Sequence, residues 1–223
     1  MSIQLPPIPN VPPGERGREF IQLCFVVKDL AEAMTFFSST FGAGPWFLGP
    51  EPSDQSEHFV YRGKPTPLGA RIALGYAGEM MYELVCPQPG SRSIFAEWAA
   101  ERGYGLHHFG FAVRDFDATV NALHKAGREV LFSGETPRGA RILMVGGAEP
   151  LGALEEFIEI TPAGEFFYSF MKSQAAAWNH SELVYTGPPP MPEQESAPAH
   201  TVQTSKGDAM EIHSLSTTKS RVR

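Results

Sequence analysis

Residues 105–127 read GLHHFGFAVRDFDATVNALHKAG, and two different periods meet inside them. His108–Val113 (HFGFAV) alternates as a strand does. Asp115 then stands where a helix N-cap is needed, its carboxylate able to accept from free backbone N–H groups. Phe116, Val120 and Leu123 follow at helical spacing, and Gly127 supplies the stop. The same order of signals occurs upstream. Phe20–Val27 is a β-branched and aromatic run, Asp29 a cap, Leu30, Met34, Phe37 and Phe41 a helical stripe, and Gly42 a stop. Setting Gln22 on His108 aligns QLCFVVKDL with HFGFAVRDF. Phe25/Phe111, Val27/Val113 and Asp29/Asp115 are then identical. MMYELVCP and EEFIEITP are read as the matching last strands, with Glu83 set on Glu159. The offset is 86 residues at the start and 76 at the end, so the first copy holds about ten more, placed within Trp46–Pro67. Each copy reads strand, helix, several strands. The expected fold is α+β, two βαβββ modules at about 20–88 and 105–163.

The flanks differ in kind. Five prolines lie in the first 13 residues, so residues 1–19 read as a flexible Pro-rich arm. Residues 164–184 contain FFYSFMKSQAAAW, read as a closing helix with Phe166, Phe170, Ala177 and Trp178 near one face. Residues 185–223 are rich in Ser, Thr, Pro and Glu without an apolar period, and read as a disordered tail. The chain has 223 residues, 42% of them hydrophobic, which is enough for a sizeable core. Its formal charge of −7 argues against nucleic acid or an anionic membrane as partner. Two cysteines make no disulfide scaffold. No stretch has the length of a membrane span, and the start lacks a signal-peptide pattern. These features predict a soluble, cytoplasmic protein.

GLHHFGFAVRDFDATVNALHKAG, IQLCFVVKDL and FIEITP together resemble the vicinal oxygen chelate superfamily, the glyoxalase I, methylmalonyl-CoA epimerase, bleomycin-resistance and extradiol dioxygenase fold. The resemblance covers roughly Phe20 to Pro162. It implies a curved cleft around a divalent metal, with ligands on the first and last strands of each module. Carried over by position, these are Gln22, Glu83, His108 and Glu159. It also leaves open whether the ligands come from one chain or meet across a homodimer.

The residues themselves are compatible with this. Gln22 shares a strand face with Cys24 and Val26, and His108 with Gly110 and Ala112. Glu83 lies between Tyr82 and Leu84, and Glu159 between Ile158 and Ile160. Glutamates in apolar strands are costly unless compensated. A divalent cation compensates both, and the set of amide, imidazole and two carboxylates suits Zn²⁺, Ni²⁺, Co²⁺ or Mn²⁺. His107 points to the opposite face by strand parity and reads as a packing or surface residue. Cys24 and Cys86 read as small core residues. Trp46, Phe47, His58 and Tyr61 wall a pocket or join the core. Arg71, Arg138 and Arg141 are candidates to grip an anionic substrate. The chain has no P-loop, nucleophile elbow or CxxC pair.

The expected function is a metal-dependent lyase, isomerase or epimerase acting on a small molecule by proton transfer next to a carbonyl, with Glu159 and Glu83 as bases. The alternatives are a metal-free binding protein of the bleomycin-resistance type and an extradiol-type dioxygenase.

Overall fold

The computed structural model describes residues 17–51, 59–147 and 152–187. Most of the expected N-terminal arm, His58, and the tail from residue 188 onward lie outside the described residues.

Module one runs β1 (Glu19–Val26), α1 (Leu30–Phe41), β2 (Phe47–Leu48), β3 (Phe59–Tyr61), β4 (Lys64–Thr66), β5 (Ala70–Ala77) and β6 (Met80–Pro87). A helix that the sequence reading did not anticipate, α2 (Ile94–Arg102), links it to module two. That module runs β7 (Gly105–Val113), α3 (Phe116–Lys125), β8 (Val130–Glu135), β9 (Arg141–Val145) and β10 (Leu154–Glu159), and α4 (Pro162–Ala176) follows. The helix starts fall at the expected caps. Asp29 accepts from Glu32 N at 2.9 Å and Asp115 from Ala118 N at 2.8 Å. Gly42 ends α1 at φ 71°, a left-handed conformation that glycine adopts without steric cost. Ser93 caps α2, whose short sequence has little apolar period to reveal it.

All ten strands form one mixed sheet, ordered β2-β5-β6-β1-β7-β10-β9-β8-β3-β4. Within the modules β1 runs parallel to β6 and β7 parallel to β10. Between them β1 and β7 are antiparallel. The surplus of module one is the β3–β4 hairpin, which pairs with β8 at the far end of module two, Val60 opposite Ser133. Thus the first and last strands of both modules stand side by side at the centre of the sheet.

The two faces of this curled sheet are covered differently. On the outer face Leu30, Met34 and Phe37 of α1 pack with Leu84, Cys86 and Trp46. There Phe116 and Leu123 of α3 pack with Leu143, Val145 and Phe157. On the inner face Ile94 and Phe95 of α2 pack with Cys24, Val26, Val85 and Ile158. α4 covers the rest of that face: Phe167 and Met171 are buried against Phe47, Tyr76 and Met81. The buried stripe of α4 is Gly164, Phe167 and Met171. The expected stripe differs, since Phe166 is exposed and α4 ends before Ala177 and Trp178. Trp46 and Phe47 are core residues. Among the described residues no helix is long and apolar enough to cross a membrane.

Candidate metal centre

Four central strands each send one polar side chain to the inner face. β1 supplies Gln22, β6 Glu83, β7 His108 and β10 Glu156. His108 Nε2 lies 3.3 Å from Glu83 Oε2 and 3.1 Å from Glu156 Oε2. The Gln22 amide donates to Glu83 at 2.6 Å and stands 3.3 Å from His108 Nε2. Gln22, His108 and Glu156 are buried, and the Glu83 side chain is 12% exposed. One ligand atom from each of Glu83, His108 and Glu156 falls within a span of 4.8 Å.

Glu159 is not part of this group. It lies on the outer face, where Arg141 holds it bidentately at 2.7 and 2.9 Å and also donates its backbone N–H. That guanidinium keeps the Glu159 carboxyl below its ordinary range. Arg141 also binds Asp117 of α3 and lies over the Phe116 ring, so it is occupied structurally and not held for a substrate. Strand parity explains the correction. Residues 156 and 159 are three apart and therefore face opposite sides. The ladder gives the true equivalence: Cys24 pairs with Glu83 as Gly110 pairs with Glu156. The end offset is therefore 73 residues, and Glu159 is the counterpart of Cys86. The signal was in the sequence at spacing two. Met81-Glu83-Val85 recurs as Leu154-Glu156-Ile158, whereas the reading above weighed immediate neighbours, which sit on the other face.

His107 also departs from expectation. The register of β1 on β7 shifts after Cys24↔His108 to Phe25↔Leu106, which leaves His107 as an extra residue. Such a bulge re-aims a side chain. His107 is fully buried on the inner side, its ring against Phe95 and Trp98 of α2 and its Nδ1 2.9 Å from His108 Nδ1. The sequence pattern held no sign of this bulge.

The electrostatics are those of two carboxylates sharing a dry site. Burial pushes Glu156 up, and Glu83 adds to this while His108 opposes it. Burial disfavours a charged His108, but Glu156 and Glu83 outweigh it and bring the ring to about 9. Burial, then the charge of His108, holds His107 well below its usual value and therefore neutral. The Tyr168 hydroxyl of α4 is pushed up by burial, and Glu156, Tyr76 and Glu83 add to this. Burial, then Glu83, raises the Cys24 thiol, so it is an inert neighbour and not a nucleophile.

These donors fit a divalent cation. Glu83 and Glu156 supply two negative charges, His108 a nitrogen, and the Gln22 amide its oxygen after a half-turn about its last torsion. Two open hollows elsewhere, one between α3 and the β8–β9 hairpin and one beside Trp178, do not include these residues.

Residues 21–143 match the family described as Glyoxalase/Bleomycin resistance protein/Dioxygenase superfamily. A hypothetical protein from Bacillus halodurans C-125 has a similar structure, with TM-score 0.52 and 20% identity over 65% of this chain and 95% of that one. Methylmalonyl-CoA epimerase from Mycobacterium tuberculosis is similar at TM-score 0.51 and 20% identity, covering 64% of this chain and 88% of that one. No curated protein sequence matches the chain.

Proposed function

As the chain belongs to the Glyoxalase/Bleomycin resistance protein/Dioxygenase superfamily, we propose that it is a metal-dependent enzyme moving a proton next to a carbonyl of a small molecule. The reaction is of lyase, isomerase or epimerase type. The observation that carries this reading is the convergence of Glu83 and Glu156, from equivalent strands of the two modules, on His108 Nε2. Gln22, Glu83, His108 and Glu156 would hold Zn²⁺, Ni²⁺, Co²⁺ or Mn²⁺. When bound, the cation supplies a Lewis acid for a carbonyl oxygen and so acidifies the neighbouring C–H.

The chain's own groups do the rest. Glu83 and Glu156 approach from opposite modules, which offers a base on either side of one carbon. Glu156 is the stronger candidate, because its burial makes the carboxylate more basic. Phe167, Tyr168 and Met171 keep water from the inner face, where fixed polar groups act more strongly on developing charge. With α4 lying on that face, the substrate is small. The epimerase neighbour is compatible with this chemistry in kind.

The metal-free binding reading has one observation on its side: Gln22, Glu83, His108 and Glu156 also satisfy one another by direct contacts. The dioxygenase reading needs a second imidazole at the carboxylates, and His107 turns to His108 instead. Elemental analysis with an α-deuterium exchange screen on small carbonyl acids decides among the three. About one Zn, Ni, Co or Mn per chain, with exchange lost in Glu156→Gln, supports the enzyme. Metal-free protein without exchange overturns it, and iron with catechol cleavage establishes the dioxygenase.

A further inference from the structure

We infer that His107 is a positioning residue for the metal centre: its Nδ1 accepts the Nδ1–H of His108 and thereby fixes His108 with Nε2 as the ligand atom. The inference rests on the metal reading above. It starts from one contact, Nδ1 to Nδ1 at 2.9 Å, which holds one proton between two nitrogens.

The direction of that bond follows from the other end of His108. Its Nε2 faces two carboxylate oxygens, at 3.3 and 3.1 Å. With a cation there, Nε2 must present a bare lone pair, so the neutral ring carries its proton on Nδ1. With the cation bound, His108 therefore donates through Nδ1, and His107 Nδ1 must accept; a neutral ring protonated on Nε2 would reverse the bond, so this direction belongs to the loaded centre. The single proton of the neutral His107 then lies on Nε2.

That atom is buried and meets no described residue in strict hydrogen-bond geometry, while the ring also has the Ile94 backbone of α2 as a hydrogen-bond partner. Ligating imidazoles ordinarily donate their second N–H to a carboxylate, carbonyl or water, which fixes tautomer and orientation. In this chain an imidazole takes that place. The β7 bulge brings it to the inner side, and Phe95 and Trp98 of α2 hold its plane. α2 thus acts on the centre through His107.

The test uses the full chain and zinc alone. His107→Leu removes the acceptor, and His107→Asn keeps one near the Nδ1 position. Zinc affinity by competition with a chromophoric chelator should fall about 10- to 100-fold in the leucine variant and stay within a few-fold of wild type in the asparagine variant. Long-range proton–nitrogen NMR on the zinc-loaded wild type reads the tautomers directly and does not depend on either variant folding. His108 protonated on Nδ1 and His107 on Nε2 is the expected result. His107 protonated on Nδ1, or a folded leucine variant with wild-type zinc affinity, overturns the inference. Wild-type protein that takes up no zinc overturns the metal reading, and the inference with it, by a result distinct from the wrong tautomer.

Discussion

Module one, β1 through β6, and module two, β7 through β10, bring matching ladder positions to one centre but fill them differently. Both supply a glutamate from the last strand, Glu83 and Glu156. The first strand gives an amide in one copy, Gln22, and an imidazole in the other, His108. Next to them Cys24 stands opposite Gly110 in the repeat. A Cβ on Gly110 would lie 2.7 Å from Gln22 Cβ, so the Gln22 side chain occupies the space that module two leaves bare. One turn of the strand further on, Cys86 on the outer face contacts the Lys28 carbonyl, and its counterpart Glu159 binds Arg141. The last-strand position facing the centre keeps its charge across the repeat, while its neighbour on the outer face takes whatever the local packing needs.

Five substitutions probe this comparison. The largest effect is expected from the glutamates. Glu83→Gln and Glu156→Gln should each abolish stoichiometric metal and lower turnover at least about 100-fold, measured by elemental analysis and exchange rate. Unequal losses at saturating metal would identify which module carries the base. Gly110→Ala comes next. Overpacking against Gln22 should cost about 1–3 kcal/mol and lower Tm by roughly 3–10 °C, with weaker metal binding. An unchanged Tm would show that Gln22 has room to move. Gln22→His makes the modules chemically alike, and zinc affinity should rise about tenfold because imidazole is the better donor. Weaker binding would mean that module one positions an amide for another purpose.

Glu159→Gln should have the smallest effect: metal content unchanged, stability reduced by no more than about 1 kcal/mol. Its sign with pH is fixed. Arg141 depresses the folded carboxyl. The stabilisation is therefore present above the unfolded value of roughly 4.3 and disappears as pH falls through the folded one. The wild-type and variant melting curves should converge in acid. Divergence there would place Glu159 in a different role.

The repeat, both helix caps and three of the four centre residues were legible because each rests on local rules. Asp29 and Asp115 cap where a helix starts, Gln22 and His108 align without gaps, and Glu83 interrupts an apolar last strand. Glu156 was missed by three positions because Glu83 was matched to the glutamate nearest the end of the strand, whereas facing is set by parity along the strand. His107 was beyond reach for another reason. Its orientation depends on a register shift against β1, a property of two strands together. α2 offered nine residues with little amphipathic signal, and its packing under the sheet decides it.

The rim of the sheet has a consequence for association. Ten strands in one sheet end in two rows of unpaired backbone groups, an invitation to add another copy strand by strand. Here β2 has two residues, and Leu183 and Val184 run alongside it, Trp46 N bonding Leu183 O at 2.9 Å. The opposite rim, β4, has three residues, with exposed Lys64 and Pro65, and proline has no N–H to offer. Growth of the sheet from either rim would form few ladder bonds and bring lysines together. Neither described rim therefore favours extension of the sheet by a further strand.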